Sequence, residues 1–277
     1  MLKRYLSAAV GLVILAVVIY YLDTLMINIV LAILGQIAAY EAVKAFCGKM
    51  RLGIFLPCSL FIVANLFFNL QWLFLIMLLI FTLFCGMIMP KEKVSFRDAS
   101  AVFLITVIVS YGFTSILGLR SLGNTIWDNR MMVIFGLGFG WICDTFAFVF
   151  GNIFGNNKLA PKISPNKTIE GAFGGALSTM ALSVGIYTLY VNVCGSESIF
   201  FARFGLINYL YFAVAGLLGG LIGLVGDLAY SYIKRECGIK DFGKIMPGHG
   251  GALDRLDSVL FSSAFALFAF SVFFNYM

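Results

Sequence analysis

A chain of 277 residues that is 61% hydrophobic and 12% charged, with a mean hydropathy of +1.00, carries far more apolar surface than a soluble domain of that length can bury. It is expected to be an all-α, polytopic integral membrane protein. The formal charge of +6 has a ready explanation in the rules of membrane insertion, and no nucleic-acid footprint is present. The six cysteines form no C-x-x-C pair and sit mostly in apolar runs, which excludes a disulfide framework; with a single histidine they leave no zinc site.

Apolar runs near the roughly 20 residues needed to cross a bilayer fall, in chain order, at 6–22, 25–39, 54–70, 72–89, 99–119, 131–155, 171–193, 207–230 and 256–274. The expectation is therefore nine transmembrane helices. The opening MLKRYLSAAVGLVILAVV is similar to a signal peptide, but no A-x-A-like cleavage site follows, so it is read as a retained first helix. With the N terminus in the cytoplasm, all of the 19 basic residues except Arg120, Arg130 and Arg203 lie on the inner side, as the positive-inside rule requires. Residues 1–130 are expected to be scaffold, and residues 131–277 a catalytic region with cytoplasmic loops. The loops at 44–51 and 91–97 are expected to do no more than meet anionic headgroups.

Glycines at 216, 219, 220, 223 and 226 lie three or four apart on one side of the eighth span, and Gly136, Gly138 and Gly140 crowd the sixth. No strand precedes either set, so neither is a dinucleotide fingerprint. Small residues at that spacing let helices approach closely in lipid. The sixth, seventh and eighth spans are expected to pack tightly; the glycine faces could also join two copies as a homodimer, or be filled within one subunit.

The chemistry concentrates between the last two spans. Asp227, Ser231, Lys234 and Arg235 share one face at the end of the eighth span, Gly238 can end that helix, and Gly248, Gly250 and Gly251 make a turn-rich loop. Asp254 and Asp257 fall three apart in the first turns of the ninth span. Carboxylates from two helix ends form a hard oxygen site suited to magnesium, which commonly takes one or two carboxylates plus phosphate oxygens. Asp227 and Asp254 are the expected ligands. The alternatives are a favourable helix N-terminal charge for Asp254 and Asp257, and an ion pair with Lys234 or Arg255 for Asp227.

The string SYIKRECGIKDFGKIMPGHGGALDRLD (231–257) closely resembles the signature of the phosphatidate cytidylyltransferase, or CDP-diglyceride synthetase, family. Ser231, Lys234, Arg235, Lys240, Asp241, His249, Gly250, Gly251, Asp254, Arg255 and Asp257 stand in matching places. The resemblance extends to GDL at 226–228 and to the block at 144–175, whose LAPKISPNKTIEG core holds Lys162, Ser164, Pro165, Asn166, Lys167, Thr168 and Glu170. Met246 stands where the family has Leu, Ile or Phe. Asn152 and Asn156 replace basic residues, and Phe148 a tyrosine, so those three are given no substrate role.

The resemblance implies joining CTP to phosphatidic acid among membrane lipids, giving CDP-diacylglycerol and pyrophosphate, in the inner, cytoplasmic membrane of a bacterium with the site facing the cytoplasm. It implies magnesium on Asp227 and Asp254, and a second cation, monovalent or divalent, supported by Asp257. Lys234, Arg235 and Lys167 would clamp charge, and His249 with the amides of Gly250 and Gly251 would meet phosphate. Substrate contacts are carried to Ser231, Lys162, Asn166, Lys240, Asp241 and Arg255. Asp144, alone in its span, either lines the same cavity or is a hydrogen-bonded structural acid. Two other classes compete. A CDP-alcohol phosphotransferase, another metal-dependent membrane enzyme of phospholipids, needs a DG-x-x-AR motif that this chain lacks; a secondary transporter should show inverted repeats, and none is found.

Overall fold

The computed structural model describes residues 16–68, 72–88, 94–194, 205–243 and 250–275. The helices are α1 (Leu25–Cys47), α2 (Leu52–Phe67), α3 (Trp72–Ile88), α4 (Phe96–Leu119), α5 (Ile126–Phe154), α6 (Ile169–Cys194), α7 (Leu206–Glu236) and α8 (Leu253–Asn275). Between α5 and α6 a short antiparallel hairpin pairs β1 (Lys158–Ala160) with β2 (Ser164–Thr168), in the register Lys158 to Thr168 and Ala160 to Ser164.

All of α1, α4, α5, α6, α7 and α8 contain stretches long and apolar enough to cross a membrane, so the polytopic all-α reading stands. The 16-residue α2 is about 24 Å long, short of the roughly 30 Å hydrocarbon core. It carries Pro57 inside, and α3 is a second short apolar helix. Of the first expected span, residues 6–15 lie outside the described residues and 16–20 are helical.

The chain divides into two compact units. One holds the N-terminal helices through Thr114 together with residues 236–256. Here α1 packs on α2: the Asn28 amide donates to the Leu66 carbonyl at 2.5 Å, and Gln36 and Ser59 hydrogen-bond side chain to side chain. Trp72 meets Phe61 and Tyr111 edge-on, with centroids 6.2 and 5.6 Å away. These polar bonds satisfy groups that hydrocarbon would leave unpaired.

The other unit holds residues 115–235 and 257–277. Its glycines set the helix spacing. A Cβ on Gly223 would lie 2.9 Å from the Gly140 Cα, and one on Gly226 would lie 2.8 Å from the Asp257 carbonyl oxygen. Main chains of α5, α7 and α8 therefore approach at distances that only glycine permits. Side chains of the same unit, Ser183, Phe139 and Thr179, also cover Gly216, Gly219 and Gly220. The glycine stripe is thus filled within the chain, and two copies would have to meet through another surface.

At the far end of this bundle Phe135, Phe139, Tyr187, Phe212 and Phe270 form an aromatic plug, with Tyr187 stacked on Phe212 at 4.4 Å. Counting along the helices from Phe135 to Asp144, from Phe212 to Asp227 and from Phe270 to Asp257 gives roughly 14–22 Å of axial rise. The three carboxylates are thus well separated from the aromatic plug along the helices.

Helix α5 starts five residues before its expected onset at Met131, because Thr125 and Asp128 form a reciprocal capping box. The buried Asp128 also accepts a 2.6 Å hydrogen bond from the Tyr190 hydroxyl of α6. Thr125→Ala is expected to cost about 1 kcal/mol of stability. Asp128→Ala should cost more, since it also removes the acceptor of a half-buried hydroxyl. Melting of both variants in detergent checks the order.

Candidate active site

Three carboxylates and two lysines come together in the second unit. Asp144 comes from α5, Lys167 from β2, Asp227 and Lys234 from α7, and Asp257 from α8. The Lys167 ammonium is paired directly with an Asp227 carboxylate oxygen and stands 3.8 Å from Asp144 Oδ1. All three side chains are at most 30% exposed, so solvent screens the pairings only in part. The Ser258 side chain lies near Asp144, and Ser231 donates to Asp227 at 3.4 Å. Asp257 is buried, accepts its neighbour's amide at Ser258, and feels the charges of Asp227, Lys234 and Asp144. Lys234 is itself buried, 8% exposed.

The hairpin delivers Lys167. Its base is closed by the Ile169 amide on the Asn157 carbonyl at 2.9 Å and by the Asn157 side chain on Glu170 at 2.8 Å. Arg235 Nε donates to the Ile163 carbonyl at 3.2 Å, tying the turn to the end of α7. Within β2 Asn166 is exposed, whereas Lys167 is half-buried. Lys162 and Arg235 are exposed as well, whereas Lys234 is buried and Lys167 half-buried. Asp227 takes Lys167 as its ion partner, a pairing absent from the sequence reading, which had weighed Lys234 and Arg255.

The other expected residues lie in the first unit. Asp254 Oδ2 accepts the amides of Phe242 and Gly251, at 2.8 and 2.9 Å. Gly250 has φ +86°, a conformation natural to glycine, and a Cβ there would lie 3.1 Å from Asp254 Oδ2 and 3.5 Å from Asp241 Oδ1. Lys240, Asp241 and Arg255 are exposed. His249 lies outside the described residues.

Sequence reading missed Glu41. Its carboxylate, 1% exposed, accepts the amides of Ala252 at 3.1 Å and Leu253 at 3.0 Å, capping the start of α8. The available signal was an acid in the sequence YEAVKAF, just past the apolar run that ends at Ala39; α1 continues through it to Cys47.

No three His, Cys, Asp or Glu side chains form a closed metal cage among the described residues. Two acids paired with one lysine, and a third acid near a second lysine, suit a different task. Magnesium needs only one or two protein carboxylates when polyphosphate oxygens supply the rest, and the Lys167 ammonium already marks a cation position between Asp144 and Asp227.

Comparison with known proteins bears on what such a site does. Residues 2–273 match the model of the cytidylyltransferase family. A protein of Staphylococcus haemolyticus named phosphatidate cytidylyltransferase is 35% identical over 181 residues, 65% of this chain and 62% of the relative. Proteins of the same name from Staphylococcus epidermidis and Staphylococcus aureus are 34% identical over 174 residues, 63% of this chain and 60% of theirs. The chain thus spans about three fifths of the length of these relatives in alignment. The family match runs nearly from end to end, through both blocks that carry the resemblance, and the chain belongs to the cytidylyltransferase family.

Proposed function

We propose that the protein is a CTP:phosphatidate cytidylyltransferase. A phosphate oxygen of phosphatidic acid attacks the α-phosphorus of CTP; that P–O bond forms as the bond from the α-phosphorus to the β-phosphate oxygen breaks, releasing pyrophosphate and leaving CDP-diacylglycerol. The nucleophile is already an anion, so no strong general base is needed. The work lies in bringing anions together and stabilising the leaving group, as in other phosphoryl transfers. The observation that carries this reading is the Lys167 ammonium held between Asp144 and Asp227 at the end of a helix bundle whose chain matches the cytidylyltransferase family.

Lys167 and Lys234 would neutralise phosphate oxygens from fixed, partly desolvated positions, where each charge acts more strongly than in water. Ser231 orients Asp227. Arg235, through its bond to Ile163, keeps the hairpin in place and so keeps Lys167 inward. Asp227 and Asp257 are the proposed magnesium ligands in their unit, with Asp257 serving any second cation. Magnesium bound there supplies Lewis-acid neutralisation of the triphosphate and its leaving group. The ordered amides of the Gly250 and Gly251 turn, with His249, are proposed phosphate contacts. Lys162, Asn166, Lys240, Asp241 and Arg255 are proposed outer contacts to the substrates.

The proposal extends to nine spans with a cytoplasmic N terminus, in a bacterial cytoplasmic membrane with the site inward, because that topology keeps all but three basic residues inside. Purified chain in detergent is expected to turn CTP and phosphatidate into a lipid nucleotide only with magnesium. Titrating the metal with Asp254→Asn tests Asp254: a raised magnesium midpoint makes it a ligand, whereas reduced turnover at an unchanged midpoint leaves it holding the glycine turn. An inert wild type would refute the reading, as would transfer from CDP-diacylglycerol to an alcohol in place of CTP consumption.

A further inference from the structure

We propose that Glu41 is a positioning residue for the segment that carries Asp241, Gly250, Gly251 and Asp254; the inference rests on the cytidylyltransferase reading above. A fully buried carboxylate is costly unless hydrogen bonds compensate it. Glu41 is 1% exposed, and its two oxygens go to the Ala252 and Leu253 amides. Those amides open α8 and have no partner inside the helix, so the contact also sets a negative charge on the positive end of the helix dipole.

The same carboxylate backs Gly243 as well as Gly251. A Cβ on Gly251 would lie 2.6 Å from Glu41 Oε2, and one on Gly243 would lie 2.6 Å from Glu41 Cδ. Residues on either side of 244–249 therefore rest on one acid group from a helix some two hundred residues earlier in the chain. Asp254 adds a second staple, since its Oδ2 joins the amides of Phe242 and Gly251. Asp254 lies next to Leu253, whose amide Glu41 holds. Wherever Glu41 sets the start of α8, Asp254 and the Gly250–Gly251 amides follow.

Glu41→Gln tests this in the full chain in detergent. It replaces one acceptor oxygen with an NH2 that faces a backbone N–H, so one bond becomes an opposition of donors. The expected result is a loss of about tenfold or more in kcat/KM for CTP and a severalfold rise in the magnesium midpoint, measured per folded molecule by size exclusion. Glu41→Asp keeps both acceptors on a stem one methylene shorter and should recover part of both. Wild-type kcat/KM and midpoint in folded Glu41→Gln would overturn the proposal, as would activity lost only in proportion to folded protein. If Glu41→Gln does not fold, Glu41→Asp decides: a raised midpoint supports positioning, and wild-type constants defeat it. A wild-type chain inert toward CTP and phosphatidate would fail at the earlier step, the function itself, and the positioning role would fall with it.

Discussion

Replacing Lys167 by alanine is expected to abolish most turnover, on the order of 100- to 1,000-fold in kcat, the scale found when one preorganised stabiliser of developing charge is removed. Asp227→Asn should lose a comparable amount. Stability separates the two variants. Lys167→Ala leaves Asp144 and Asp227 near one another without the ammonium that now sits between them. Removing one partner of a largely buried pair is strongly destabilising because the other charge stays behind uncompensated. Asp227→Asn leaves Lys167 with Asp144 still nearby and should be milder. The double variant should be less destabilised than the sum of the two, with a coupling of about 0.5–3 kcal/mol. Additive melting shifts in detergent would mean that the contact is not an ion pair of consequence.

Gly226→Ala is the second large effect. One added methyl would meet the Asp257 carbonyl at 2.8 Å and the Phe261 ring at 2.7 Å, and the carbonyl is main chain, so α7 and α8 must part. Overpacking of this kind costs about 1–3 kcal/mol. It acts beside Asp227 and Asp257, so kcat should fall together with the melting temperature. Gly185→Ala is the contrast. Nothing lies within 4 Å of its Cβ position, and the same substitution there should leave both melting and turnover intact. Equal melting of the two variants would show that the glycine face does not set helix spacing.

Six of the expected spans were legible as long apolar helices among the described residues, because bilayer thickness imposes a length that an apolar run reveals. The glycine face was legible for a similar reason: its spacing of three and four residues has one main use in lipid. Asp144, Lys167 and Asp227 were each singled out from sequence. A shared cavity was among the readings, but the direct ion pair of Lys167 with Asp227 was not, since β2 and α7 are sixty residues apart at the contact and nothing in a single chain reports such a pairing. The β1–β2 hairpin escaped notice because KLA and SPNKT offer no alternation of apolar and polar residues, and Pro165 argues against a strand. Thr125 and Asp128 were readable as a T-x-x-D box, but the search for apolar runs passed over the charged turn that starts α5. Glu41 shows the opposite failure: the helix runs on past the end of the apolar run at Ala39, and the acid just beyond that run was given no role.

The most direct test of the central claim follows the label in the nucleotide. Wild-type chain, magnesium and phosphatidate are supplied with CTP labelled at either the α- or the γ-phosphate, and the lipid and water phases are counted separately. The account predicts α-label in the lipid and γ-label in water as pyrophosphate, with both transfers lost in Asp227→Asn. Label from the γ-position in lipid, or α-label reaching lipid at the wild-type rate in Asp227→Asn, would contradict it.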